Sequence, residues 1–204
     1  MANAPMQPTR RIKRVCVFCG SSNGTRPVYA EATAQFGREL VNFGATLVFG
    51  GGRVGLMGIL ADSVLPVQGQ AIGVMPRALV EKEIAHTSLT ELHVVDSMHQ
   101  RKAMMADLAD AFVLLPGGFG SWEEFCEIAT WLQLGIHSKP CAILNVAGYY
   151  DGLLSLAKHA LEEGFLRPAH QRMLIIETNP RALLSKLASA EIPSEVKWFA
   201  ERER

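Results

Sequence analysis

Two hydrophobic patterns take turns along this chain. Short unbroken apolar runs at residues 15–19, 46–49, 70–75, 92–95, 111–115, 141–145 and 174–176 have the length and branched side chains of buried strands. Between them, apolar positions recur three and four residues apart. That spacing predicts helices over 27–43, from the glycine run at 50–55 to about 68, and over 98–109, 121–134, 149–163 and 180–188. Pro27 suits a first helical turn, and Gly44 and Gly164 suit helix stops. The stretch 77–90 is mixed and reads as loop with a short helix. Strand and helix alternate without a linker, a repeat or a shift in composition. This predicts one α/β domain, Rossmann-like and doubly wound, with a mostly parallel sheet flanked by helices. The domain is expected over 14–190, between a disordered N-terminal tail at 1–13 and a C-terminal tail at 191–204.

Bulk composition narrows the partners. The chain has 204 residues, 49% of them apolar, which suffices for a sizeable core. Twenty basic and twenty acidic side chains give formal net charge zero, which argues against a nucleic-acid partner. No apolar run approaches the roughly 18 residues of a membrane span, and residues 1–8 carry no hydrophobic signal region. Arg10, Arg11, Lys13 and Arg14 read as a solvated flank. Cys16 and Cys19 have CxxC spacing but lie in a strand-like run, where residues three apart face opposite ways. Cys126 and Cys141 are isolated. All four read as small hydrophobes in a reducing, cytoplasmic setting, with no metal site.

Glycine-rich turns fall at 20–24, 50–55 and 116–121, each where a strand gives way to a helix. In a doubly wound sheet that edge holds the ligand. The run Pro116-Gly117-Gly118-Phe119-Gly120-Ser121-Trp122-Glu123-Glu124 is the most telling. Its glycines clear side chains from a helix N-terminus, where amide groups and the helix dipole favour an anion. Two carboxylates follow at once. Ser121 and Glu124 also fit a capping box, which is a purely structural role. Gly50-Gly51-Gly52-Arg53-Val54-Gly55 satisfies G-x-G-x-x-G, but it follows the second strand and no acid stands at the expected distance. Arg77 suits a 2′-phosphate, which keeps an NADP-dependent oxidoreductase open. A tight turn that admits a neighbouring backbone is the plainer alternative. No G-x-x-x-x-G-K-[ST] and no G-x-S-x-G occurs.

Met98-His99-Gln100-Arg101-Lys102 puts cations at a helix start, against the macrodipole, so Asp96 or a ligand phosphate is expected to offset them. His99 alone reads as structural. Trp122, Phe125 and Trp131 read as core or subunit contacts. Tyr149 and Tyr150 are expected to open a helix near the ligand edge, where either ring can stack on a base.

Taken together, Arg101-Lys102 and Pro116–Glu124 resemble the paired signature of the LOG ("lonely guy") family, an arginine followed by P-G-G-x-G-T-x-x-E. The likeness continues in Val17-Phe18-Cys19-Gly20-Ser21-Ser22, in Gly50-Gly51-Gly52, in Trp131-Leu132-Gln133-Leu134-Gly135-Ile136-His137 and in Leu144-Asn145-Val146-Ala147-Gly148-Tyr149-Tyr150. The resemblance spans roughly residues 14–190. It implies hydrolysis of the N-glycosidic bond of an N6-modified adenosine 5′-monophosphate, yielding the free base (a cytokinin) and ribose 5-phosphate, with no cofactor. It implies Arg101 and Glu124 as the catalytic pair. It also implies substrate contacts from Ser22, Glu83, Lys102, Gly118, Phe119, Gly120, Ser121, Trp122, Glu123 and Thr130, a nucleotide of the AMP or N6-isopentenyl-AMP kind as ligand, and a homodimer. Ser121 replaces the family's threonine and Gln100 its common glutamate. Three other readings stay open: an AMP nucleosidase, a nucleotide-binding protein without catalysis, and a lysine decarboxylase, an older label of the family that requires a Schiff-base lysine such as Lys102 or Lys139.

The chemistry expected of such a site is specific. Losing a base from ribose builds positive charge on the sugar. Glu124 is expected to stabilise that charge and to deprotonate the attacking water, while Arg101 holds sugar or phosphate with its guanidinium fork.

Overall fold

The computed structural model describes residues 11–82 and 85–192. Glu83 and most of both expected tails therefore lie outside the described residues. The described chain is anchored before its first strand: Ile12 is buried, and the N–H groups of Lys13 and Arg14 donate to Asp110 Oδ2 at 2.8 and 2.9 Å.

The elements follow in the order β1 (Arg14–Phe18), α1 (Pro27–Phe43), β2 (Thr46–Phe49), α2 (Gly55–Val64), β3 (Ala71–Pro76), α3 (Arg77–Val80), β4 (Glu91–Val95), α4 (Met98–Leu108), β5 (Ala111–Leu114), α5 (Phe119–Gln133), β6 (Cys141–Leu144), α6 (Asp151–Glu162), α7 (Pro168–Gln171), β7 (Leu174–Glu177) and α8 (Pro180–Ala188). The strands form one parallel sheet in the order β4-β3-β2-β1-β5-β6-β7. Val15 of β1 sits in register between Leu47 and Ala111. The chain winds outward from β1 to β4, then returns to the other side of β1 to place β5. That reversal opens a crevice at the carboxyl ends of β1 and β5.

Both faces of the central strands are covered, which is why they read as continuous apolar runs. Val15, Val17 and Cys19 pack in one layer with Phe36, Leu40, Leu56, Leu60 and Leu187 from α1, α2 and α8. Cys16 and Phe18 pack in the other with Met105, Phe125, Ile128 and Leu132 from α4 and α5. Cys16 and Cys19 thus face opposite layers as free, buried thiols, and burial raises the pKa of each. Among the described residues, no helix is long and apolar enough to cross a membrane.

Four local differences from the pattern-based expectation have physical causes. α2 stops at Val64 and gives way to a 3-10 turn at Leu65–Val67, since Pro66 has no N–H to continue the helical ladder. α6 starts at Asp151, so Tyr149 and Tyr150 precede the helix. The one-turn α7, opened by Pro168, is too short to show a periodicity. Finally, α5 starts at Phe119 and not at Ser121.

Candidate active site

The β5–α5 connection is fixed from behind by backbone and tyrosine contacts. Leu115 N donates to Phe18 O at 2.9 Å, and Gly20 N donates to Pro116 O at 2.9 Å. Gly118 is the N-cap in extended conformation and makes no side-chain cap. The first helical bond is Trp122 N to Gly118 O at 3.1 Å, which leaves the N–H groups of Phe119, Gly120 and Ser121 without an intrahelical acceptor. A Cβ on Gly118 or Gly120 would meet nothing within 4 Å, so no neighbouring group crowds the helix start at these two positions. A Cβ on Gly117 would lie 2.2 Å from Ser121 Oγ and 2.9 Å from Gly20 N. The capping-box reading of Ser121 and Glu124 is therefore corrected. Ser121 sits inside the first turn, buried over Gly117, and Glu124 turns to a different partner.

That partner is Arg101. Its Nη2 lies 3.2 Å from Glu124 Oε1, with the two side chains only 12% and 11% exposed. Burial pushes the Glu124 carboxyl above the usual carboxylate range, and the Arg101 charge pulls it back part of the way. Lys102 donates to Glu123 Oε1 at 2.6 Å and lies 3.1 Å from Glu127 Oε2. These two carboxylates, the Glu123 hydrogen bond foremost, hold the Lys102 ammonium charged above its ordinary range. The α5 acids, not Asp96, thus offset the cations at the start of α4; Asp96 faces Arg77 at 3.9 Å on the surface. The α4 N-terminus is closed by its own residues. Ser97 Oγ accepts from Gln100 N at 3.2 Å, and Gln100 Oε1 accepts from Asp96 N at 2.8 Å. The serine cap of a capping box is made here, while the Gln100 side chain reaches past the N-cap to the amide of the residue before it.

The 50–55 glycines do structural work beside this pair. A Cβ on Gly50 would lie 2.3 Å from Arg101 Nη2, so the missing side chain gives the guanidinium its place. Gly55, at φ +59°, would press a Cβ within 2.2 Å of Ser21 C, and Leu56 N donates to Gly20 O at 3.0 Å. The motif admits a neighbouring side chain and a neighbouring turn. Next to it opens a cavity of about 230 Å³, lined by the 20–24 turn, Tyr29, Leu56, Tyr149 and the 116–118 turn.

The expected site residues fall into groups. Ser22 lines the cavity, and Gly118, Phe119, Gly120 and Ser121 form the open end of α5 beside it. Arg101, Lys102, Glu123 and Glu124 form one charged cluster. Trp122 is half-buried, its ring edge-on to the exposed Phe119 ring at 5.2 Å. Thr130 stands apart: its hydroxyl donates to Cys126 O at 2.7 Å, and it borders a different cleft with Leu166 and His170. Glu83 lies outside the described residues. Phe125 is core and Trp131 packs against it. Lys139 sits at the opposite edge of the sheet, ahead of β6, donating to Ala106 O at 2.7 Å.

Pattern reasoning missed the part played by the tyrosines. Tyr150 is buried and its hydroxyl donates to Leu115 O at 2.7 Å, so its ring is closed to any base. Tyr149 donates to Gly117 O at 2.6 Å, with its ring edge-on to Tyr29 at 5.4 Å. A pair of tyrosines following Asn-x-x-Gly after a strand was the available signal; its partners were visible only in three dimensions.

Fold and site together define a doubly wound α/β protein with an open helix N-terminus at its switch point and a buried carboxylate–guanidinium pair beside it. The family model described as "Possible lysine decarboxylase" matches residues 57–187. Among curated proteins, the chain is 44% identical over 206 residues to a probable cytokinin riboside 5′-monophosphate phosphoribohydrolase of Oryza sativa subsp. japonica, covering 98% of this chain and 84% of that protein. It is 46% identical over 199 residues to a cytokinin riboside 5′-monophosphate phosphoribohydrolase of Arabidopsis thaliana, covering 95% and 92%. The chain belongs to this LOG family. Among solved structures, a molybdenum cofactor binding protein from Rippkaea orientalis matches with a TM-score of 0.67 at 18% identity, over 88% of this chain and 97% of that one. The molybdenum cofactor carrier protein of Chlamydomonas reinhardtii matches at 0.64 and 17% identity, over 88% and 98%. At such identities the likeness speaks for the fold alone.

Proposed function

We propose that this protein is an N-glycosyl hydrolase that cleaves adenosine 5′-monophosphates, foremost those with an isopentenyl-type group on N6, to the free base and ribose 5-phosphate. One observation carries the reading: a buried acid, Glu124, braced by Arg101 at 3.2 Å, stands six residues inside a helix whose N-terminal amides are open. From the N-cap Gly118 to Glu124 is six residues, about 9 Å along the axis. A pentose 5-phosphate held by hydrogen bonds at both ends bridges that span. The phosphate docks on the amides of Gly118–Ser121, favoured by the helix dipole. The anomeric carbon then comes to the carboxylate.

The roles divide as follows. As the base departs, charge grows on the sugar, and ionised Glu124 stabilises it in a poorly hydrated setting. The same carboxylate takes the proton of the attacking water as its oxygen bonds to the anomeric carbon. The departing ring nitrogen gains a proton in exchange through solvent, so one water is consumed and the carboxylate is regenerated. Arg101 orients the carboxylate and keeps enough of it ionised despite burial. Lys102 and Glu123 border the nucleotide at the entrance.

The family model's description points to another chemistry, for which the lysines are badly placed. A Schiff-base lysine needs a neutral amine. Lys102 is held charged between two carboxylates, and Lys139 is across the sheet. The same reading includes a homodimer in a reducing cytoplasm. Support comes from four free thiols and from exposed apolar side chains such as Phe119 on α5, Leu156 on α6 and Phe165 in the connection after α6.

The test is direct. Purified protein incubated with N6-isopentenyl-AMP, AMP and the matching nucleosides should release base from the monophosphates and little from the nucleosides, read by chromatography. Equal release from nucleosides, or none from any monophosphate, ends the proposal.

A further inference from the structure

We propose that the Tyr149 hydroxyl is a positioning group for the substrate phosphate, because it fixes the Gly117–Gly118 peptide and so aims the Gly118 N–H into the anion site. The inference rests on the phosphate-docking reading above and deepens it.

A trans peptide is planar, with its C=O and N–H on opposite sides. Fixing the carbonyl of one residue therefore fixes the direction of the next residue's N–H. Three carbonyls in the 115–117 turn are held this way. Leu115 O accepts from the Tyr150 hydroxyl at 2.7 Å, Pro116 O from Gly20 N at 2.9 Å, and Gly117 O from the Tyr149 hydroxyl at 2.6 Å. The peptides so held carry very different groups on their far sides. Beyond Leu115 comes the nitrogen of Pro116, which has no hydrogen to offer. Beyond Gly117 comes the N–H of Gly118, the N-cap of α5, which lines the cavity and donates to no acceptor among the described residues. Gly117 and Gly118 have no side chains to hold the turn, and glycine is the residue with most backbone freedom to lose. An external tether is what such a turn needs to present its amide in one direction.

Tyr149 is itself rigidly delivered. Asn145 Oδ1 accepts from Tyr150 N at 2.8 Å, and Asn145 Nδ2 donates to Asp151 Oδ1 at 2.7 Å, which closes the turn ahead of α6. Inside it Ala147 and Gly148 adopt positive φ of 49° and 75°. The Tyr149 ring is then wedged edge-on between Tyr29 and Tyr150, at 5.4 and 4.9 Å, and forms a wall of the same cavity as Gly117 and Gly118.

The tyrosine pair supplies its own control. Tyr149→Phe keeps the wedged ring and removes the tether of an N–H that faces the ligand. Tyr150→Phe removes an equivalent hydrogen bond from a peptide with no N–H. Affinity for ribose 5-phosphate is measured by calorimetry on the full chain, with KM and kcat for AMP and N6-isopentenyl-AMP and the melting temperature alongside. For Y149F the dissociation constant and KM should rise about three- to tenfold, the loss of one neutral hydrogen bond, with kcat changed by less than about twofold. Y150F should lower the melting temperature and leave the ribose 5-phosphate constant within about twofold of wild type. Equal effects of the two variants on that constant, or a Y149F protein that loses only melting temperature, overturn the proposal. If wild type binds ribose 5-phosphate and Y149F binds it more weakly, but neither releases base from any nucleotide, the positioning role stands and the hydrolase reading falls.

Discussion

Glu124→Gln separates the chemical role of this carboxylate from its structural one. Glutamine keeps the shape and an Oε1 that can accept from Arg101 Nη2, now 3.2 Å from the carboxylate. It removes the negative charge that faces the sugar and the basicity needed to take a proton from water. A positioned general base is worth about 10²- to 10⁴-fold, so turnover of N6-isopentenyl-AMP should fall at least about 10²-fold. The fold should not suffer. Burial disfavours the charged carboxyl and raises its pKa, so the folded state binds a proton more tightly than the unfolded chain does. This group's contribution to stability is full below the ordinary carboxylate pKa and is lost as pH rises through the raised value. At neutral pH E124Q should therefore melt no lower than wild type, and wild type should gain on E124Q as the pH drops through that window. Glu124→Ala is the contrasting case. It leaves the buried Arg101 guanidinium with neither a counter-charge nor a hydrogen-bond acceptor, and a void where the side chain stood, and should cost about 3 kcal/mol or more. Activity needs the ionised form, so the acid limb of kcat/KM should lie above the usual carboxylate range. Base release by chromatography, thermal melts across pH and a kcat/KM profile make the full assay. An E124Q protein that turns over normally but melts well below wild type would refute the argument, since it would make Glu124 a structural residue.

Other perturbations test neighbouring parts of the same geometry. Gly50→Ala places a Cβ 2.3 Å from Arg101 Nη2, the far end of a flexible side chain, so melting should hardly change while kcat falls about tenfold or more as the guanidinium loses its seat. Gly55→Ala meets backbone instead, 2.2 Å from Ser21 C at a φ of +59°; it should destabilise by about 3 kcal/mol or more and appear as insoluble or low-melting protein. Lys102→Met removes the ammonium between Glu123 and Glu127, so KM for the monophosphates should rise, and adding salt should change the variant's KM less than wild type's. Treatment with pyridoxal 5′-phosphate and borohydride near pH 8 should leave Lys102 unlabelled by peptide mass analysis, because its ion pairs hold the amine charged.

Most of the fold was legible because a parallel sheet covered on both faces leaves a strong imprint on sequence. Strands such as Ala111–Leu114 must be apolar on both sides, and helices between them must be apolar on one. The imprint fades where packing does not set the pattern. Pro66 ends α2 through a missing donor, and α7 is a single turn. α5 begins two residues early because Gly118 can take the N-cap with no side chain to advertise it. Ser121 and Glu124 imitate a capping box in spacing alone. The side-chain cap is made instead at α4, where Ser97 Oγ accepts from Gln100 N and Gln100 Oε1 from Asp96 N.

The site was legible in its residues and hidden in its connections, and the reason is geometrical. Helix N-termini and glycine runs are local, so the anion-binding end of α5 can be read from ten consecutive letters. The pairing of Arg101 with Glu124 is a contact between two helices that pack on the same face of the sheet, and nothing local encodes it. Its clearest trace in sequence is indirect. Gly50 is small because a guanidinium from α4 occupies the space where its Cβ would be, so a residue on β2's turn records the position of a side chain fifty-one residues away. The tyrosines extend the same logic. A turn made of glycines for access to a ligand has no side chains to steady itself, and the groups that steady it must come from another connection. Here they come from the one after β6, the strand next to β5 in the sheet. On this argument, substitutions that loosen the Asn145–Asp151 turn and so displace Tyr149 should disturb phosphate affinity, although none of its residues except Tyr149 reaches the cavity. Asn145→Ala would free the Tyr150 amide and Asp151 together, and should weaken ribose 5-phosphate binding at least as much as Y149F while lowering the melting temperature as well. An Asn145→Ala protein that melts lower but binds ribose 5-phosphate as wild type does would show that the glycine turn keeps its direction without this support.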